Sequence, residues 1–302
     1  MKRFGFLVAI VGLIGLASVT VPAQTAVIDG AVVGIWNALT ESVYLGLGAG
    51  QHYPDGIGNT ALGNKALYET LPGDVGDNTA IGVNALVSNR GGYNTTVGAD
   101  ASVQNTTGTY NVAIGKVAQY TNQTSSENVA VGHAALYSAS AGPNTAVGGA
   151  NTGSVLGLTT TGAYNVGVGD GALWSNTTGI GNTGLGGGRA LGLLASGDNN
   201  VAVGQSAGFQ LMTGSNNTLL GAQTGATTLQ FGNRNILIGY GADTPATVTS
   251  DYLNIGGVIT GNLATGVIHI PSLKVGAGAS CSGTVTILAV VDGIVTACAS
   301  TP

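Results

Sequence analysis

The residues that could do acid–base or metal chemistry are few and scattered. His52, His133 and His269 stand far apart, and no His or Cys spacing suits a metal. Gly46-Leu47-Gly48-Ala49-Gly50 and Gly186-Gly187-Gly188 look like phosphate-cradling loops. No Gly-Lys-Ser/Thr follows either, and a chain with 53 glycines makes such matches by composition. Asp74 and Asp77 are near enough to act as paired carboxylates on a glycan, although adjacent loop acids are ordinarily just solvated. No Asp recurs at a fixed step, which argues against a calcium-binding nonapeptide roll. The expectation is therefore a protein that is not an enzyme, with no cofactor and no metal.

What does recur is an amide. Asn59-Thr60-Ala61-Leu62-Gly63 returns from Asn78, Asn94, Asn111, Asn128, Asn144, Asn165, Asn182, Asn200, Asn217 and Asn235, with Ser in place of Asn in a first copy at Ser42. Steps between the copies run 17, 19, 16, 17, 17, 16, 21, 17, 18, 17 and 18 residues. A nearly fixed period in this range marks stacked repeats. Asn side chains in such a column can hydrogen-bond from rung to rung as an amide ladder. The alternative is an ordered polar array for a glycan or for ice, given the neighbouring Thr column.

The phrase has a positional logic. Its second residue is β-branched in every copy and its fourth is aliphatic, and the two share one side of a strand because side chains alternate. These two are expected to fill the interior, which also suits the free exchange of Thr with Val and Ile. The first and third positions, the latter mostly Ala or Gly, are then expected to face outward, where small residues let separate chains pack closely. The fifth is Gly throughout, from Gly46 to Gly239. That implies a corner with positive φ, or a backbone approach too close for a Cβ. An Ala three residues further on (Ala66, Ala85, Ala118) predicts a second short strand with a small inward residue. One unit buries too little to fold alone, so rungs must stack on a shared core. The fold class expected is all-β: a parallel β-solenoid of about twelve rungs, on the order of 58 Å long at ~4.8 Å per rung.

Four segments follow. Residues 1–23 read as a secretory signal: Lys2-Arg3, an apolar run from Phe4 to Val21, and Val21-Pro22-Ala23 as a cleavage pattern. An uncleaved anchor is the alternative, since about 18 apolar residues barely span a bilayer. Residues 24–41 are expected to cap the first rung as a helix or strand, with Trp36 packing there. Residues 42–246 are the solenoid. Residues 247–302 form a β-rich tip, with a hairpin around Asp292-Gly293 and a strand-turn at Asp251–Gly261. Cys281 and Cys298 flank that hairpin. With an export signal a disulfide between them is expected, free or intermolecular thiols being the alternative. Net charge is −5 with no basic patch beyond Lys2-Arg3, so no nucleic acid partner is expected. Low charge with 44 % apolar residues argues against disorder.

The loops between phrases lie on one edge and carry the aromatics. Tyr53, Tyr93, Tyr110, Tyr137, Tyr164 and Trp174 are the candidate ligand contacts, suited to glycan or protein; shielding of loop backbone is the alternative. The repeat itself resembles the heads of trimeric autotransporter adhesins (YadA-like β-rolls) and the Asn-Thr-Ala-aliphatic-Gly repeats of phage tail fibres, over about two thirds of the chain. That resemblance implies a β-roll homotrimer, secreted or displayed on a cell surface or virion tail, that attaches to a host-cell or surface receptor. A structural spacer or coat component and a glycan-cleaving tailspike are the other functions weighed. The unit is longer than the adhesin's. The end of the chain, Ala297 to Pro302, lacks the long alternating strands and terminal aromatic of a membrane barrel, so self-export is not expected, nor membrane contact once the signal is cleaved.

Overall fold

The computed structural model describes residues 24–28, 31–37, 41–51, 57–69, 76–138, 141–149, 154–159, 161–270, 272–275, 279–282, 285–291 and 294–300, the first two and last four of these as backbone alone. Residues 1–23, Tyr53 and Asp74 lie outside them, as do the side chains of Trp36, Cys281 and Cys298. Two strands, β1 (Gln24–Ile28) and β2 (Ala31–Asn37), precede the repeats. Each copy of the phrase then supplies one strand: β3 (Ser42–Leu45), β4 (Thr60–Leu62), β5 (Thr79–Ile81), β6 (Thr95–Val97), β7 (Val112–Ile114) and β8 (Val129–Val131). The series continues as β9 (Thr145–Val147), β10 (Val166–Val168), β11 (Thr183–Leu185), β12 (Val201–Val203), β13 (Thr218–Leu220) and β14 (Ile236–Ile238). All twelve pair in parallel and in strict register, Val43 opposite Thr60 and so on to Thr218 opposite Ile236. The molecule is an all-β parallel solenoid of about eleven turns.

The interior is the reverse of the expected one. In each rung the third residue of the phrase is buried while the second and fourth are partly or fully exposed. The inward pair is the Asn of position one and the Ala or Gly of position three; Asn78, Ala80, Asn128, Ala130, Asn200 and Ala202 are all fully buried. The β-branched and aliphatic columns form the outer face instead. The Thr column is thus not interior, and the Ala/Gly column does not offer an outward seam. The physical reason is the width of the rod. The opposite wall comes so close that a short amide and a methyl fill the gap.

That opposite wall is not a second strand. It is a stack of tight turns in which residues take positive φ in a repeating pattern, Asn84 (53°) and Leu86 (54°) on one rung and Ala134 (55°) and Leu136 (54°) on another. Rungs still bond to one another there: Leu86 N–H donates to Ala101 O (3.0 Å), Leu136 N–H to Val155 O (3.0 Å), and Leu173 N–H to Ala190 O (2.9 Å). The recurring Ala does point inward, and the Leu after it fills what remains; Leu67, Leu86, Leu136, Leu156, Leu173 and Leu191 are fully buried. Near the C-terminal end the two inward positions trade volume. Leu219 and Leu237 stand where other rungs have Ala, and Gly208 and Gly225 stand where others have Leu. Total volume is what a close-packed core conserves.

Corner glycines have both properties expected of them. Gly98 has φ of +141°, and a Cβ there would collide with the carbonyl of Gly115 on the next rung.

The ends reverse strand direction. β2 pairs antiparallel with β3, and β1 with β2, so the N-terminal cover is strand. Tyr44 replaces the inward Ala of the first rung and is buried. At the other end β15 (Tyr252–Ile255) adds a thirteenth parallel strand. β16 (Ile259–Asn262) and β17 (Val267–His269) then turn antiparallel. Beyond them β18 (Ser272–Val275) pairs with β19 (Ala279–Ser282), and β20 (Val285–Val291) with β21 (Ile294–Ser300), the expected hairpin. In backbone register Cys281 lies opposite Leu273 and Cys298 opposite Ile287, in two different sheets.

Candidate functional site

Three surface or interior columns result from the rung register. The first is the amide column. Each Asn side-chain oxygen accepts the backbone N–H of the next rung's Asn: Asn78 N–H to Asn59 Oδ1 (2.9 Å), Asn94 to Asn78 (3.0 Å), Asn165 to Asn144 (2.9 Å), Asn217 to Asn200 (3.0 Å). The column runs through Asn111, Asn128, Asn182 and Asn235 in the same way. It starts at Ser42, whose Oγ accepts from Asn59 N–H, and ends on the N–H of Tyr252. The Nδ2 group reaches sideways to the loop carbonyl of the next rung, as Asn200 does to Gly214 O (2.8 Å) and Asn217 to Gly232 O (2.9 Å). Buried along its whole length, and satisfied apart from the Nδ2 group of Asn59, the column has no solvent-facing side for a glycan or for ice.

A second amide file was not read from the sequence. Asn89, Asn105, Asn122 and Asn176 are buried at the next corner. There Asn105 Nδ2 donates to Asn89 Oδ1 (2.6 Å), and Asn176 exchanges bonds with the N–H and C=O of Gly179. Its signal was an Asn three residues before a Gly or Ser. In later rungs Leu194, Leu211 and Leu229 take this place. Loop N–H groups are then met from outside, Asp198 N–H by Ser215 Oγ (2.9 Å) and Ser215 N–H by Asn233 Oδ1 (2.8 Å). Asp243 pins the last such loop, accepting from Thr228 N–H (2.9 Å), Leu229 N–H (3.2 Å) and the Thr227 hydroxyl (2.6 Å).

The candidate ligand contacts divide into two files. Tyr93, Tyr110 and Tyr164 each precede a ladder Asn, at a corner where φ is positive (62°, 57° and 59°). The same file carries Asp77, Glu127, Pro143, Arg234 and Asp251 on other rungs. Tyr137 and Trp174 belong to the opposite wall, one residue after the inward Leu, together with Tyr68, Tyr120 and Phe209. Tyr93 and Tyr110 stack at 4.8 Å with planes 3° apart, and Tyr120 and Tyr137 at 5.3 Å and 8°. In each stacked pair one face of each ring is covered by its neighbour. Trp174 lies under the Arg189 guanidinium (5.1 Å), and Lys65 stands over Tyr68 (5.2 Å). Gly188, Arg189, Ser206 and Phe209 line a shallow depression beside Trp174. Tyr164 is two thirds exposed. His133 is exposed, and His269 lies at the other end of the rod. Among the described residues no cluster of His, Cys, Asp and Glu could hold a metal ion. Arg234 and Asp251 form an ion pair at the surface (2.6 Å). Its hydrogen bond holds the Asp251 carboxyl below and the Arg234 guanidinium above their usual ranges.

The third column set is the outer sheet face. Position two reads Val, Thr, Thr, Thr, Val, Val, Thr, Val, Thr, Val, Thr, Ile and position four is Leu, Ile or Val throughout. No charged residue interrupts either column across twelve strands. Val43, Leu45, Leu62, Ile114, Val168, Val201 and Val203 are all more than one third exposed. Six of the twelve position-two residues are Thr, so the face is uncharged and largely aliphatic, the kind of exposed surface that marks contact with another molecule.

No protein-family model, curated protein or solved structure matches the chain. The likeness to adhesin heads and tail fibres rests on the repeat phrase and on the parallel solenoid that the phrase forms.

Proposed function

We propose that this chain is a non-enzymatic attachment fibre, secreted or displayed on a cell or virion surface, that assembles with copies of itself through the apolar outer face of its sheet. The observation that supports it most is that face: two uncharged columns, in register over twelve strands. A partner covering all of it must match a spacing of about 4.8 Å over the whole length. A second copy of the same chain does so automatically. Self-association of matching faces is also how soluble oligomers close. The adhesin resemblance sets the number of copies at three. Export residues 1–23 and the expected disulfide between Cys281 and Cys298 fit life outside the reducing cytosol. Attachment itself would use the exposed files, Tyr164 and the Trp174 region first, with a surface receptor or glycan as partner.

The test is the solution mass of the secreted chain without its leader, under non-reducing conditions, beside a Val131→Asp, Val203→Asp variant. The wild type is expected near three chains and the variant near one, with the same far-UV spectrum. A monomeric wild type would remove the assembly, and with it the main support for the fibre. A second reading, a purely structural spacer, is favoured by one observation: the stacked tyrosines use their faces on each other. It would be selected if the intact oligomer were retained by neither cells nor glycan arrays.

A further inference from the structure

The apolar core of the rod is not continuous. Buried apolar residues form one packed group from Tyr44 to Leu86 and another from Ala113 to Ala242. Where they meet, the inward Leu file is interrupted by two polar residues: Ser102, on the rung that belongs to neither group, and Gln119, on the first rung of the second, beside Ala113 and Ala118. Backbone bonds fix their place in that file: Leu86 N–H donates to Ala101 O, Ser102 N–H to Ala118 O (2.9 Å), and Gln119 N–H to Ala135 O (3.0 Å). Leu86, Ser102, Gln119 and Leu136 therefore follow one another at the rung spacing. On the Ser102 rung the third phrase position is also polar, Thr96 standing where neighbouring rungs have Ala.

Both interrupting side chains are sealed from bulk solvent, Gln119 at 0 % and Ser102 at 2 % exposure. Neither the Ser102 hydroxyl nor either polar atom of the Gln119 amide meets a protein partner. Buried amides and hydroxyls are almost always hydrogen-bonded, because an unmade bond in the interior costs the whole desolvation of the group. The occupant must satisfy an oxygen and an NH₂ together. A metal cation could meet Gln119 Oε1 and Ser102 Oγ but would repel the amide donor Nε2 beside them. Water can donate to the one and accept from the other.

We propose that Ser102 and Gln119 form an internal water-binding site, a hydrated joint between the two apolar blocks of the rod. Ordered water there bridges the Gln119 amide and the Ser102 hydroxyl across adjacent rungs. Its polar lining is this chain's own departure from the Leu that fills the file at Leu67, Leu86, Leu136, Leu156, Leu173 and Leu191.

Oxygen-17 magnetic relaxation dispersion on the full chain tests this, since it counts water molecules held for longer than the protein tumbles. Wild type is compared with Gln119→Leu, which restores the residue type of the neighbouring rungs, and with Ser102→Ala, a smaller change that leaves the fold intact should the first not. The dispersion amplitude is expected to fall by at least one long-lived water in Gln119→Leu, and to fall in part or shift to shorter residence in Ser102→Ala. Equal amplitude in all three proteins would overturn the proposal. So would an amplitude that changes when sodium is exchanged for potassium, which would make a cation the occupant.

Discussion

The two sides of each three-residue strand obey different rules. Inside, Asn holds its place in eleven of the twelve rungs and Ala or Gly in eight, and each ladder Asn oxygen accepts from the backbone of the next rung. Outside, Thr, Val and Ile exchange freely at one position and Leu, Ile and Val at the other. The inner face must satisfy buried polar groups in a fixed geometry, whereas the outer face need only be flat, uncharged and suited to a strand. In a rod this thin, specification lies with hydrogen-bond geometry and small volume rather than with the bulk of the side chain.

The sharpest way to break this contrast is at the corner beside the inner column. Gly98→Ala combines strained φ with a collision against backbone, and is expected to destabilise by about 3 kcal/mol or more, read from denaturant unfolding. A paired comparison comes next. Asn200→Ala removes an acceptor for Asn217 N–H and a donor to Gly214 O, with an expected loss of about 2–4 kcal/mol. Thr183→Val, one rung earlier on the outer face, should stay within about 0.5 kcal/mol. Equal losses in the two variants would erase the distinction between the faces. The smallest effect belongs to the exposed Arg234–Asp251 pair. Asp251 is held below its ordinary range by Arg234, so its contribution is complete above the unfolded value of about 3.9 and is lost as pH falls through the lower folded value. A plot of melting temperature against pH should therefore differ between wild type and Asp251→Asn chiefly above pH ~4, converging in acid, with the difference shrinking as salt is added.

The repeat, the parallel stacking, the Gly corner and the C-terminal hairpin were legible because each is a periodic or local signal. The direction of the strand's faces was not. Alternation says only that positions two and four share a side, and assigning bulk to the interior presumes an interior wide enough to hold it. Ala80 and Asn78 show that it is not. The turn-built wall was hidden for a different reason. Its positive φ falls on Leu67, Leu86 and Leu136, residues that give no turn signal in a sequence. The thirteenth strand was readable in retrospect: Tyr252-Leu253-Asn254-Ile255-Gly256 is the phrase with Tyr in the ladder position, its N–H still bonded to Asn235 Oδ1 (2.9 Å). As for ligand contacts, sequence placed aromatics on loops, but only the register showed that Tyr93 stacks on Tyr110 and Tyr120 on Tyr137.

The strict register of the sheet makes this molecule a ruler. From Asn59 on, each described rung offers its successor the same strand carbonyls, the same amide oxygen and the same corner, whatever stands in its Leu file or its loops. Removing one whole unit, residues 182–199, would bring Asn200 onto Asn165 and shorten the rod by about 4.8 Å, keeping the strand ladder, the amide column and the glycine corner while Trp174 loses Arg189. Duplication would lengthen it by the same increment. Reach is therefore a quantity that such a gene can adjust in single steps, while the tip and the cap at either end stay as they are.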